Sequence, residues 1–226
     1  MAAPEVCEIN EVSGGIAVRG FLHRPARECV ASLVVTHGAS SNANAPLLVA
    51  LASALAEQGI IVLRVDLPFR QSRPKGPPSP SSAVKDQQGL RAATDFLRSV
   101  QKAEKLMLGG HSYGGRQATL LTAGNADVCD GLLLLSYPLH PPGNAGKLRT
   151  AHFPGLSKPA IFVQGSRDPF GSVEELKSAM KLIPAPHLHV FIEGTGHDLR
   201  PTRKSATNVV QVVAQAFLEF FHLGQG

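Results

Sequence analysis

The chain has 226 residues, 43% of them apolar and only 17% charged, with a formal net charge of +5. That length closes one sizeable core, so a single domain over residues 1–226 is expected, and the absence of Trp beside 22 Gly and 17 Pro suits a sheet protein with many tight turns rather than a disordered chain. The basic residues are scattered, with no Lys/Arg-rich helix and no aromatic-interleaved patch, which argues against nucleic acid as a partner.

Val6 to Asn10 and Gly15 to His23 read as a hairpin joined by Glu11-Val-Ser-Gly14, because β-branched residues flank a glycine turn. The chain then alternates. Leu33 to His37 reads as a strand, and Pro46 to Gln58 as a helix with Leu47, Leu51, Ala54 and Leu55 on one face and Gly59 as its stop. Ile60 to Val65 is the next strand, followed by a Pro- and Ser-rich loop, Asp66 to Ser82, and a helix over Gln87 to Val100 whose Leu90, Ala93, Leu97 and Val100 recur at helical spacing. Leu106-Met-Leu108 leads into a helix from Tyr113 to Ala123. Leu132 to Leu135 and Ala160 to Gln164 are apolar throughout, as strands covered on both faces must be. Ser172-Val-Glu-Glu175 opens a helix with a capping box, Leu188 to Ile192 is the last strand, and Asn208 to His222 the last helix. In that helix Val209, Val212, Val213, Ala216, Phe217 and Phe220 are expected to face inward, with Gly224 beyond the end. Strands alternating with helices at this spacing predict an α/β fold, a mostly parallel sheet with helices on both faces and the hairpin as its antiparallel edge.

Between the Leu106 strand and the following helix lies Gly110-His-Ser112-Tyr-Gly114, a G-x-S-x-G pattern. In a chain this rich in Gly such a pattern also arises by chance, so its context must carry the argument. That context is a strand before and a helix after, the sharp turn that lifts a serine away from its own backbone and toward a base. Asp168 follows the Ala160 strand through Gly165-Ser-Arg, and His197 follows the Leu188 strand through Glu193-Gly-Thr-Gly. All three residues therefore fall just beyond the carboxyl ends of strands, where sheets of this class bind ligands. Ser112 is the candidate nucleophile, His197 the base and Asp168 the acid that orients it. Asp127 and Asp130 precede a strand, Asp198 is too close to His197 to reach round its ring, and Asp66 follows the wrong strand. The N–H groups of Ala39, after His37-Gly38, and of Tyr113 are the candidate oxyanion donors. His37 and His111 read as packing or supporting groups.

Arg70 and Arg73 in the long loop, and Arg116 in the first turn after Ser112, are candidate contacts for an anionic substrate group. The alternatives are a solvated basic loop and, for Arg116, an acidic partner on a neighbouring helix. Cys7, Cys29 and Cys129 have no paired spacing and read as free thiols of a reducing compartment. The N-terminus carries acids where a signal peptide needs bases, and no apolar run is long enough to span a bilayer, so a cytoplasmic protein without membrane contact is expected. His187 and His189 alternate on a strand with no carboxylate or Cys spaced to complete a metal site, so neither metal nor cofactor is expected.

Thr36-His-Gly-Ala-Ser40, Asp66-Leu-Pro-Phe-Arg70, Gly109 to Arg116, Leu135-Ser-Tyr-Pro-Leu-His140, Gly165 to Gly171 and Gly194-Thr-Gly-His-Asp198 together resemble the small α/β-hydrolase-like group that includes the testis-expressed hydrolase-like proteins. More distantly, the chain is similar to dienelactone hydrolases. The Ser-Tyr-Pro-Leu-His block is the most specific part, and Tyr137 within it is a further candidate substrate contact. The resemblance implies an α/β-hydrolase fold with minimal or no cap, since only Pro141 to Lys158 lies where larger members insert a lid. Dienelactone hydrolases use a Cys nucleophile where this chain has Ser112, so their lactone substrate is not carried over. Two functions are compatible with the sequence: a serine hydrolase of a small carboxylic ester or related acyl bond, and a non-catalytic interaction or regulatory protein on the same fold. The complete Ser, His and Asp set favours the first.

Overall fold

The structure, a computed structural model, describes residues 3–101, 103–200 and 208–223. Its strands are β1 (Glu5–Ser13), β2 (Ile16–Arg24), β3 (Ala31–Thr36), β4 (Ile60–Val65), β5 (Leu106–His111), β6 (Gly131–Leu135), β7 (Ala160–Gly165) and β8 (His187–Ile192). The helices are α1 (Pro46–Glu57), α2 (Pro68–Ser72), α3 (Ser82–Val100), α4 (Tyr113–Gly124), α5 (Val173–Met180) and α6 (Val209–Phe220). All eight strands form one sheet in the order β1-β2-β4-β3-β5-β6-β7-β8. Pairing is parallel from β4 through β3 to β8, while β1 with β2 and β2 with β4 are antiparallel, so the hairpin is the antiparallel edge.

Alternation along the strands builds two cores. Ile61, Leu63, Leu108, Leu132, Leu134 and Phe162 point to the face covered by α3, α4 and α5. Their neighbours Ile60, Val62, Met107, Leu133 and Ile161 point to the face covered by α1 and α6. Fully burying one such side chain contributes roughly 1.5–3 kcal/mol. That two-sided burial explains strands apolar along their whole length.

The hairpin strands run further than the residue pattern suggests. Gly14 and Gly15 have φ of 56° and 79°, the pair of positive values that a two-residue turn of the favoured twist requires. Ser13 then pairs with Ile16 and Val12 with Ala17, which draws Glu11 to Ser13 into β1. Helix α3 starts at Ser82 rather than Gln87; its first turn shows no apolar repeat, so the residue pattern begins a turn too late. Val84 in that turn is 65% exposed. The stretch after β4 is not a bare loop either. It folds into α2, which buries Phe69 and Arg70.

On α1 the buried face is Leu48, Leu51, Ala52, Leu55 and Ala56, with Leu47 and Ala54 half-buried. Gly59 ends α1 at φ 90°, where a Cβ would stand 2.8 Å from the Glu28 carbonyl oxygen. Ser172 and Glu175 form the expected capping box of α5. On α6 the buried residues are Val209, Val213, Ala214 and Phe217, while Val212, Ala216 and Phe220 are half-buried. Gly224, expected as its stop, lies outside the described residues. Between β6 and β7, residues 136–159 contain a single 3-10 turn, Phe153–Gly155, and no inserted lid.

Candidate active site

The turn between β5 and α4 is as tight as its glycines imply. Ser112 adopts φ 50° and ψ −114°, a strained combination for a residue with a side chain. Its N–H donates to the Leu135 carbonyl at 2.8 Å and its own carbonyl accepts from Arg116 N at 3.0 Å, so strand and helix clamp it from both sides. A Cβ at Gly110 would lie 2.9 Å from Gly115 N and from the Thr36 oxygen, and one at Gly114 would lie 2.5 Å from Thr36 Cγ2 and 2.6 Å from the His37 oxygen. The helix crosses β3 and β5 too closely for any side chain there. These glycines are steric conditions for presenting Ser112.

The structure brings Ser112, His197 and Asp168 into one line. Ser112 Oγ donates to His197 Nε2 at 2.7 Å, and His197 Nδ1–H donates to Asp168 Oδ2 at 2.8 Å and Oδ1 at 3.0 Å. Asp168 also accepts from Gln164 Nε2 at 2.9 Å and from the Phe170 N–H at 2.8 Å. Its side chain is fully buried, while that of His197 is 20% exposed, so the imidazole links an interior acid to an open surface. Phe170 stacks on the imidazole with centroids 4.0 Å apart and planes 28° from parallel. His111 Nε2–H donates to the His197 carbonyl at 2.8 Å and so holds the loop that carries the ring. Burial, above all, lowers the His111 pKa and keeps this imidazole neutral.

Ala39 and Tyr113 both line the cavity above Ser112. No acceptor among the described residues takes either N–H. The peptide between Gly38 and Ala39 is held by its other end: His37 Nδ1–H donates to the Gly38 carbonyl at 2.8 Å, and His37 Nε2 accepts from Leu67 N at 3.1 Å. In a trans peptide the N–H points opposite to the C=O, so this bond turns the Ala39 N–H away from His37. Burial, above all, pushes the His37 pKa down and keeps it in the neutral form these two bonds require. Tyr113 is held by its hydroxyl, which donates to Asp86 Oδ2 at 2.7 Å, while Asp86 Oδ1 accepts from Phe69 N at 3.0 Å.

Three of the candidate substrate contacts stand elsewhere. Arg70 is 6% exposed and donates to the carbonyls of Ser41, Arg73, Ala39 and Gly76, so its guanidinium supports the loop of Ala39 instead of facing a ligand. Arg73 bonds the Pro77 carbonyl at 2.6 Å and does not line the cavity. Tyr137 is completely buried and its hydroxyl donates to the Arg149 carbonyl at 2.7 Å, so it anchors a loop and cannot touch substrate. Arg116 does line the cavity, and it is joined there by Arg149, which sequence reasoning missed. Gln164, Phe170 and Asp86 were missed as well. Phe170, two residues after Asp168, is the one whose position carried a signal.

The cavity has a volume of about 840 Å³, within the range of small-molecule sites. Pro46, Leu47, Ala50, Val209 and Val210 form an apolar wall from the α1/α6 layer, and Ser112 and His197 line the same cavity. Among the described residues no group of three or more His, Cys, Asp or Glu could hold a metal ion. His189 packs on Phe191 instead, with centroids 3.5 Å apart. Among the described residues, too, no helix is long and apolar enough to cross a membrane.

A mostly parallel eight-stranded sheet with helices on both faces and a strand-turn-helix serine at its carboxyl edge is the architecture of the α/β hydrolases. Residues 29–222 match the Alpha/beta hydrolase domain family, and the chain belongs to it. Solved structures share the fold at low identity. A dienelactone hydrolase from Anabaena variabilis is 18% identical with a TM-score of 0.75, covering 98% of each chain. Est1E from Butyrivibrio proteoclasticus, in a structure with ferulic acid bound, is 19% identical with a TM-score of 0.74, covering 96% of this chain and 99% of that one. XC6422 from Xanthomonas campestris, described as an α/β serine hydrolase without a lid, is 17% identical with a TM-score of 0.68, over 96% of this chain and 94% of that one.

Proposed function

We propose that this chain is a serine hydrolase that cleaves a small carboxylic ester or related acyl bond through an acyl-enzyme. The observation that carries the reading is the unbroken hydrogen-bond line from Ser112 Oγ through His197 to the buried Asp168 carboxylate, at 2.7 and 2.8 Å. Ser112 Oγ attacks the carbonyl carbon as its proton passes to His197 Nε2. Asp168 holds the Nδ1–H tautomer and stabilises the imidazolium that forms. The N–H groups of Ala39 and Tyr113 receive the negative oxygen of the tetrahedral intermediate. His197 then protonates the leaving alcohol, and a water activated by the same imidazole hydrolyses the acyl-serine. Every step is carried by the chain's own groups, so we propose no cofactor and no metal, and neither nucleic acid nor membrane as a partner.

The single continuous sheet supports one catalytic domain over residues 1–226, and the short segment between β6 and β7 supports an open site without a lid. The reading also takes the chain as cytoplasmic and as a member of the group that includes the testis-expressed hydrolase-like proteins. A fluorophosphonate probe should label Ser112 in the native protein and leave Ser112→Ala and His197→Ala unlabelled. A native protein that resists the probe and cleaves no ester across a range of acyl lengths is a non-catalytic member of the fold.

A further inference from the structure

Among the described residues, two guanidinium groups that line the cavity have no counter-charge. Arg116 stands one helical turn beyond Ser112, and Arg149 comes from the loop after β6; both line the cavity. Among the described residues Arg116 makes no side-chain hydrogen bond and no ion pair, and its buried Nε lacks any partner. Among the described residues the Arg149 side chain makes only a long bond, 3.3 Å, from Nη1 to the Pro138 carbonyl. The two are close enough that the field of Arg116, after burial, lowers the Arg149 pKa. Among the described residues the one carboxylate lining the cavity, Asp198, is matched by Arg200 at 3.2 Å. A half-buried cation with unfilled donors beside a second cation is unfavourable in the empty protein, and an anion placed between them relieves both the desolvation and the repulsion.

We infer that Arg116 and Arg149 form a carboxylate-binding subsite, and that the substrate is an ester with an apolar portion against the α1/α6 wall and a carboxylate on the opposite side. This inference rests on the serine-hydrolase reading of the same cavity. Planar guanidinium groups suit a carboxylate because each can offer two parallel N–H donors. The amino end of α4 adds its positive dipole on the same side. The carboxylate belongs either to the acyl half or to the alcohol half of the ester, and matched substrates separate the two.

The test uses the intact protein and two substrate pairs at low and high salt. One pair is the mono-para-nitrophenyl ester of adipic acid and its methyl ester; the other is the butanoyl ester of para-hydroxybenzoate and that of its methyl ester. In one of the pairs kcat/KM should favour the anion by roughly tenfold, and the ratio should shrink with added salt. The favoured pair names the half that carries the charge. Arg116→Gln and Arg149→Gln should each bring that ratio close to one, with fluorophosphonate labelling of Ser112 confirming a folded site. Ratios near one for both pairs in a native protein that the probe labels overturn the subsite and leave the hydrolase reading standing, as does an unchanged ratio in both variants. Failure of the native protein to take the probe or cleave any of the four esters overturns the hydrolase reading, and the subsite with it.

Discussion

Exchanging Asp168 for Asn tests the orienting role of the acid without removing volume. Three donors converge on the carboxylate: the Phe170 N–H on Oδ1, Gln164 Nε2 on Oδ2, and His197 Nδ1–H, nearer to Oδ2 at 2.8 Å than to Oδ1 at 3.0 Å. The backbone donor of Phe170 cannot turn round, so the amide oxygen of Asn must take the Oδ1 position and its NH2 the Oδ2 position. Gln164 can adapt. Among the described residues its Oε1 is buried without a partner, and a flip of the side-chain amide lets it accept from that NH2 in exchange for its long, 3.4 Å bond to the Gly171 carbonyl. The hydrogen bonds are then satisfied only if His197 Nδ1 becomes an acceptor, which moves the ring proton to Nε2. A protonated Nε2 cannot take the Ser112 proton. Losing the correct tautomer lowers kcat by about 10⁴. That equals roughly 5 kcal/mol of barrier. Because the network reforms, the melting temperature should stay within about 4 °C of native. Steady-state hydrolysis of a para-nitrophenyl ester, fluorophosphonate labelling rate and ¹⁵N shifts of the imidazole read the three parts of the argument. Turnover within about tenfold of native, or a ring that keeps its proton on Nδ1, refutes it.

Gly114→Ala should destabilise the fold by roughly 1–3 kcal/mol, since the new methyl meets Thr36 Cγ2 at 2.5 Å and the His37 oxygen at 2.6 Å. Gly124→Ala, with nothing within 4 Å of its Cβ, should not lower the melting temperature, and equal behaviour of the two variants in a thermal melt would contradict the crossing argument. Burial, above all, raises the Asp86 pKa, so its charge is a cost to the folded state that grows as the pH rises above the ordinary carboxylate range. Asp86→Asn should therefore raise the melting temperature at neutral pH and gain less in acid; a loss at neutral pH counts against this. Burial and then the field of Arg64 hold His23 at about 4 against 6.5 for a free side chain. The unfolded chain binds the extra proton, so the stability present above pH 6.5 is lost as the pH falls toward about 4, by up to roughly 3 kcal/mol. Acid unfolding followed by circular dichroism should be shallower for His23→Gln, and a profile identical to native would rule out this contribution.

The alternation of strands and helices, the parallel sheet with its antiparallel edge, and the positions of Ser112, Asp168 and His197 beyond strand ends were all legible without coordinates. They are local properties. Apolar runs, turn glycines and caps act over a few residues, and a residue that follows a strand must lie at that strand's carboxyl edge whatever the rest of the chain does. Which arginine faces the cavity was not legible, because a guanidinium reaches any of several carbonyls and its partners come from distant segments. Arg70 is claimed by the loop at Ala39 and Ser41, some thirty residues away in sequence, whereas Arg149, whose backbone carbonyl is held by the Tyr137 hydroxyl, lines the cavity with Arg116. The support of Asp168 by Gln164, of Tyr113 by Asp86 and of His197 by His111 is likewise tertiary. Nothing in one strand or helix says which buried polar group will stand opposite it. Close packing of several elements decides that, because a buried donor is satisfied only where an acceptor stands within about 3 Å.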